Sequence, residues 1–324
     1  MMSAVTIKRY DQLNADQWRR VAVTAKRHVK RITGQSSEIG IGQKYTAGRP
    51  TGRQLAIRVY LPQKCRRVAK TKRVPAHFEI RLKRSDGKFD RLRIRSDVES
   101  LGDYVPTGAD VKLDDRTATT GFLLRWKTDD GEVRWGLATV AHLFDQTRLR
   151  IVSVRMNPTV TLRCRRLKTP PKREHLDLAV LEIVGDREEI EDKLRRCGLI
   201  ESIDPPAIPL MSVRQVHRAV MGHRRGRTYP PDGDHAFTGE EVFPDGFQLG
   251  SRILDDCVRV GRCDVDTFCQ GTSGSAWSIS NQAACLQVGG KETDFREGIG
   301  QPFDLCLKWI RSSINAPVNV VAVW

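Results

Sequence analysis

CQGTSGSAW, residues 269–277, sets a serine between glycines just ahead of an apolar run. Acyl transfer at neutral pH needs an activated nucleophile and donors for the oxyanion that forms during attack. Glycine permits backbone angles at which the N–H groups of Gly271 and Ser273 converge on one point, with the Ser273 hydroxyl carried on a tight turn. Taken alone, GTSGS also reads as one of many Ser/Gly turns. Two other stretches decide between these readings. LATVAHLF (137–144) is an apolar strand ending in Ala-His, which puts the His142 imidazole at a rim. In HLDLAVLEI (175–183), Asp177 opens an apolar strand and reads either as a turn residue or as the acceptor for a histidine Nδ1–H. His142, Asp177 and Ser273 follow one another with gaps of 35 and 96 residues, which leaves room for His and Asp in one β-barrel and Ser in a second.

Those three stretches resemble the motifs of the trypsin-like (chymotrypsin-like) serine peptidases, bacterial type. Gln270-Gly271-Thr272-Ser273-Gly274-Ser275 is similar to their nucleophile motif, Thr139-Val140-Ala141-His142 to the histidine motif, and Asp177-Leu178-Ala179-Val180-Leu181 to the aspartate motif. The chain order His, Asp, Ser separates such enzymes from subtilisins and α/β-hydrolases. Thr120-Gly121-Phe122-Leu123 looks like the opening strand, and Cys285 to Gly290 like the strand that follows the nucleophile and binds substrate backbone. The resemblance covers roughly residues 115–315. It implies a mainly β protein, a chymotrypsin-like double β-barrel, with His142, Asp177 and Ser273 as catalytic residues. It also implies an oxyanion hole from Gly271 and Ser273, substrate contacts at Thr267, Gln270, Val288 and Gly289, and no metal or cofactor.

Departures from the family narrow these expectations. Thr272 stands where zymogen-type members carry an aspartate that pairs with a new N-terminus, so activation by that ion pair is not expected. Leu143 follows the histidine where secreted members have a cysteine. Thr267 stands six positions before Ser273, at the expected base of the specificity pocket, with Asp266 beside it, so no cleavage preference is assigned.

The rest of the chain reads as a framework around this unit. Asn14, Gln17 and an apolar face of Trp18, Val21, Ala22, Ala25, Val29 and Ile32 predict a helix over 15–33, stopped by Gly34. Strand-like runs follow at 38–45, 54–61, 77–82 and 90–98, with turn chemistry in GRPTG (48–52) and SDG (85–87). Together they predict a small basic α+β domain over 1–110, followed by the peptidase domain over 111–324. In the second part short strands recur, HRAVMG (217–222) among them. Helices are expected at 187–197, opened by Asp186 and Glu189 and closed by Gly198, and at 305–314.

Charge is uneven. Residues 1–110 hold 25 Lys+Arg against 10 Asp+Glu, a net of +15, whereas the other residues hold 30 against 29, a net of +1. The run KCRRVAKTKR (64–73) with RLKR (81–84) and RLRIR (91–95) is a candidate site for an anionic partner, nucleic acid or acidic protein, and equally a solvated face. Only Tyr60, Phe78 and Phe89 interleave with it, which disfavours recognition of single strands by base stacking. No segment reaches the roughly 20 apolar residues of a membrane span. Without an apolar h-region near the start, and with eight cysteines that lack paired spacing, a reducing cytoplasmic setting with free thiols is expected. The six-residue spacings of Cys257, Cys263 and Cys269 and of His217 and His223 do not match common zinc knuckles. His175 lies two residues from Asp177, on the same face of the predicted strand, where the two side chains cannot readily meet.

The function expected is a serine endopeptidase acting on peptides or proteins through an acyl-enzyme. The alternative is a catalytically idle protease fold used for binding, contacting a polyanion through the basic N-terminal part.

Overall fold

The computed structural model describes residues 4–46, 49–61, 69–83, 87–100, 104–105, 111–113, 116–145, 149–229, 235–262, 272–291 and 294–323. The first helix, α1 (Ala15–Thr33), is built as its sequence predicts. Asn14 accepts from the Gln17 N–H, the Gln17 side chain answers the Asn14 N–H, and Gly34 closes the helix in the left-handed region. Trp18, Val21, Ala22, Ala25 and Val29 form its buried stripe. α2 (Arg187–Arg196) starts on Asp186, which accepts from the N–H groups of Glu188 and Glu189.

HRAVMG is not a strand. It lies in α3 (Val213–Met221), where Ser212 and Gln215 form a capping box and Val216, Ala219 and Val220 face inward. The capping residues sit ahead of the apolar run and turn a short apolar stretch into a helix. GRPTG is likewise no simple turn, because the strand Arg49–Leu61 already includes Arg49 through Gly52. The helix near the C-terminus, α4, spans Phe303–Ile314.

The protein is mainly β, and its strands form two principal sheets. One is six-stranded, in the order 151–157, 160–166, 179–183, 133–139, 122–127, 319–323. In the other, strands 235–243, 225–229, 276–279, 282–291, 294–302 and 257–262 pair in sequence. The last of them pairs back onto 235–243, which closes a six-stranded barrel. Several of these strands carry no clear alternation. REGIGQP in 294–302 is glycine-rich and RGRTY in 225–229 is charged, and both gain strand geometry from two flanking partners.

The N-terminal sheet is continuous with this barrel. Strand 38–46 pairs with 235–243 through Glu241↔Gly42 and Val242↔Ile41, and then with 49–61, which runs parallel to 89–100. One apolar core holds Trp18, Val21 and Val29 of α1 together with Val242, Val258 and Val260 of the barrel. A buried ionic staple lies at the same junction. Glu241 is fully buried and takes the Tyr60 hydroxyl at 2.6 Å, Arg259 at 2.9 Å and Arg58 at 3.2 Å. Gly40 makes room for it, since a Cβ there would lie 1.8 Å from Glu241 Oε1.

Along the basic strands 77–83 and 89–100, Phe78, Ile80, Leu82, Leu92 and Ile94 point inward while Arg81, Lys83 and Arg93 point outward. Pleat alternation accounts for this positive face. Residues 64–68 of the basic run lie outside the described residues. Among the described residues no helix is long and apolar enough to cross a membrane.

Candidate active site

Strand register brings His142 and Asp177 together. Strands Val133–Thr139 and Ala179–Ile183 are antiparallel, with Ala138 opposite Val180 and Thr139 opposite Ala179. The chain leaves the first strand through Val140 and Ala141 into a one-turn 3-10 helix, His142–Phe144, and enters the second directly after Asp177 and Leu178. Asp177 therefore precedes its strand rather than opening it, and lies beside the turn that carries His142.

The Asp177 carboxylate is 1 % exposed and nearly saturated with donors. Its Oδ1 accepts the backbone N–H groups of Ala141 and His142, both at 2.9 Å, and its Oδ2 lies 2.5 Å from His142 Nδ1. Burial alone would raise its pKa. The His142 ring and its hydrogen bonds, with the Arg252 guanidinium beyond them, hold the carboxyl below the usual carboxylate range. An ionised carboxylate only accepts, so Nδ1 carries the proton and Nε2 is the basic nitrogen of the neutral ring. The His142 side chain is 19 % exposed.

Two residues that local sequence does not mark, Gln301 and Arg252, complete the support. The Asp177 N–H donates to Gln301 Oε1 at 3.1 Å, and Gln301 Nε2 donates to the His175 carbonyl at 2.9 Å. Arg252 is buried, donates to the Leu176 carbonyl at 3.3 Å, pairs with Asp145 and holds its Nε 3.7 Å from Asp177 Oδ1. His175 stands before the strand in the left-handed region, not on the same strand face as Asp177. It turns to Asp255, with Nδ1 3.0 Å from Oδ1, and is no rival partner for Asp177.

Ser273 lies on the turn between the barrel strands 257–262 and 276–279. Its carbonyl accepts the Thr119 N–H at 2.7 Å, and the Gly274 N–H donates to Gln287 O at 2.8 Å. Gly274 has φ +96°, and a Cβ there would lie 1.9 Å from Thr119 O and 2.7 Å from Thr139 Oγ1. The turn thus packs against Thr139, three residues ahead of His142, and only glycine fits. Beneath it, buried Gln287 donates to Thr272 Oγ1 at 2.6 Å and accepts from Trp277 Nε1 at 3.2 Å. The Ser273 side chain is buried, and its hydroxyl donates to the Val288 carbonyl at 3.2 Å rather than to His142.

The site residues expected from sequence are therefore found as follows. His142 and Asp177 are directly bonded, and Ser273 sits on a turn of the other sheet that packs, at Gly274, against Thr139, three residues before His142. Val288 and Gly289 lie in strand Gln282–Lys291, with Val288 against Ser273. Gly271, Gln270 and Thr267 lie outside the described residues. The zinc-type spacings resolve in part: His217 is buried, with Nε2 2.8 Å from the Asp256 carbonyl and Nδ1 3.2 Å from the Tyr10 hydroxyl. Cys257 and Cys285 are buried, and burial pushes both thiols well above the ordinary thiol range.

No protein-family model matches the chain. A stretch of 96 residues is 28% identical to UDP-glycosyltransferase 73C13 from Barbarea vulgaris, covering 30% of this chain and 19% of that protein. The chain thus spans about a fifth of the length of this curated relative. Among solved structures it is similar to kallikrein-related peptidase 10, at 11% identity and TM-score 0.36, over 60% of this chain and 95% of that one. It is also similar to the Rv3671c protease from M. tuberculosis in its active form, at 13% identity and TM-score 0.33, over 61% and 82%. A third is the MamO protease domain from Magnetospirillum magneticum, at 11% identity and TM-score 0.32, over 59% and 96%. These are likenesses of fold, and the chemistry of the site rests on its own geometry.

Proposed function

We propose that the chain is a serine endopeptidase in which Ser273 is the nucleophile, His142 the general base and Asp177 the group that orients and charges the base. The observation that carries this reading is the buried Asp177 carboxylate, bonded at once to His142 Nδ1 and to two backbone N–H groups. That arrangement fixes one tautomer and stabilises the imidazolium that forms when Nε2 takes a proton. The steps are those general to a Ser-His-Asp triad.

The reaction balances as an acyl transfer. Ser273 Oγ bonds to the scissile carbonyl carbon while its proton passes to His142 Nε2. The N–H groups of Gly271 and Ser273 stabilise the oxyanion. Collapse breaks the C–N bond, and His142 returns the proton to the leaving amine. Water, deprotonated by His142, then hydrolyses the ester. Before attack the Ser273 hydroxyl has to leave the Val288 carbonyl and turn to His142, a side-chain rotation between staggered wells.

A fluorophosphonate probe tests the proposal. Covalent labelling at Ser273, lost in Ser273→Ala and strongly slowed in His142→Ala, is the expected result. A chain whose Ser273 stays unlabelled across pH while the fold is intact would leave the idle-fold alternative in its place.

A further inference from the structure

We propose that the short strand Tyr104–Val105 is a resident occupant of the edge on which a peptide substrate pairs, so that the chain holds its own binding ribbon closed. This rests on the reading of Ser273 as the nucleophile. Tyr104–Val105 runs antiparallel to the end of strand Gln282–Lys291, with Val105 opposite Gly290 and Tyr104 opposite Lys291.

The position of a substrate follows from Ser273. Its Oγ lies 3.2 Å from the Val288 carbonyl, so a peptide residue presenting its carbonyl carbon to that hydroxyl sits alongside Val288. An extended peptide advances about 3.3 Å per residue, as the strand beside it does. Two residues further along, it reaches the level of Gly290. The register of strand Gln282–Lys291 breaks at Val288, which turns its carbonyl to Ser273, and Gly290–Lys291 pair with Tyr104–Val105 on that same edge, so residues 288–291 form one pairing ribbon. Main-chain pairing along such an edge is a general mode of peptide binding.

Both ends of this ribbon are already satisfied from within the chain. At Gly290–Lys291 the partner is Tyr104–Val105, and at Val288 the carbonyl accepts the nucleophile's own hydroxyl. The two observations are independent, and both remove groups that a substrate needs. Strand 276–279, the neighbour on the Ser273 side, pairs no further along than Leu286, so Gly290–Lys291 would otherwise present an open edge. The occupant comes from the segment joining the N-terminal sheet to the first strand of the six-stranded sheet. Its release therefore makes the accessibility of the site depend on what engages the N-terminal part.

Replacing Tyr104→Pro and Val105→Pro together removes both N–H donors of the occupant. Loss of one or two net backbone hydrogen bonds to the competing strand should raise kcat/KM for an extended peptide substrate roughly tenfold. Labelling of Ser273 by a small fluorophosphonate, which needs no pairing edge, should change little. Normal labelling with unchanged or lower peptide turnover overturns the proposal. Absence of labelling in both chains instead overturns the assignment of the nucleophile.

A second measurement uses the unmutated chain, so it does not depend on how the variant folds. After Ser273 is labelled with a tetrapeptidyl phosphonate, amide exchange at 104–105 should be faster than after labelling with the bare fluorophosphonate. Equal exchange in the two adducts would overturn the proposal.

Discussion

The buried guanidinium of Arg252 holds its Nε 3.7 Å from Asp177 Oδ1, while the His142 ring meets the other carboxylate oxygen, Oδ2. Arg252 is itself held by Asp145 and by the Leu176 carbonyl, so its charge is fixed in place beside the carboxylate.

Arg252→Gln should therefore weaken the hold on the Asp177 carboxyl, which loses one of the two groups that keep it below the usual carboxylate range. With less of that depression, acid unfolding of the variant, followed from pH 7 to pH 3, is expected to begin at higher pH than in the parent. Onset at the same pH in both, with the fold intact, would mean that Arg252 only fills space.

Asp177 makes a second, linked prediction. Its carboxyl is held below the ordinary range, against the opposing pull of burial, by His142 and Arg252. A depressed folded-state value means stability that is present above the unfolded-state value, roughly 4 for an aspartate, and lost as pH falls through the folded one. Asp177→Asn removes this dependence and weakens the acceptor for the N–H groups of Ala141 and His142, at a cost of about 1–3 kcal/mol near neutrality. Thermal unfolding followed from pH 7 to pH 3 should show the gap between variant and parent narrowing with acid. A constant or widening gap would contradict the assignment.

These residues also mark how far local sequence reaches. Ser273, His142 and Asp177 are legible because each sits in a short stretch whose apolar run and glycines constrain it locally. α1 and α2 are legible because their caps are adjacent in sequence. Arg252 is not, since its partners Leu176 and Asp145 lie 76 and 107 positions away and nothing nearby announces a buried guanidinium. Gln301 reaches Asp177 across 124 positions. Barrel strands 225–229 and 294–302 are equally hidden, because their charged and glycine-rich sequences acquire strand geometry from neighbours remote in sequence. α3 misleads for the opposite reason: its apolar run is too short for period alone to separate helix from strand, and Ser212 with Gln215 decides it.

The Glu241 staple predicts how the N-terminal sheet and the barrel unfold. Glu241→Ala would remove the carboxylate that buried Arg58 and Arg259 share, leaving Arg259 to Glu297 and Glu240, and loss of one partner of a buried pair costs up to about 3–5 kcal/mol. Because the strand pairing and one apolar core cross the same junction, urea unfolding should be a single transition in the parent chain. The variant should shift that midpoint downward as a whole. Two well-separated transitions in the parent would show that the staple joins units which do not depend on each other.

Gly274 is the position where conformation and space are constrained together. With φ at +96°, a side chain is strained whatever surrounds it, and a Cβ would meet the Thr119 carbonyl at 1.9 Å. Backbone in such regions costs on the order of 1–3 kcal/mol for residues other than glycine, and the clash adds to this. Gly274→Ala should therefore destabilise the chain by several kcal/mol or push the Ser273 turn away from Thr139. The two outcomes separate experimentally: chemical denaturation reads the first, and loss of fluorophosphonate labelling in a stably folded variant reads the second. A Gly274→Ala chain that keeps both its stability and its labelling rate would show that the turn is not held where these contacts put it.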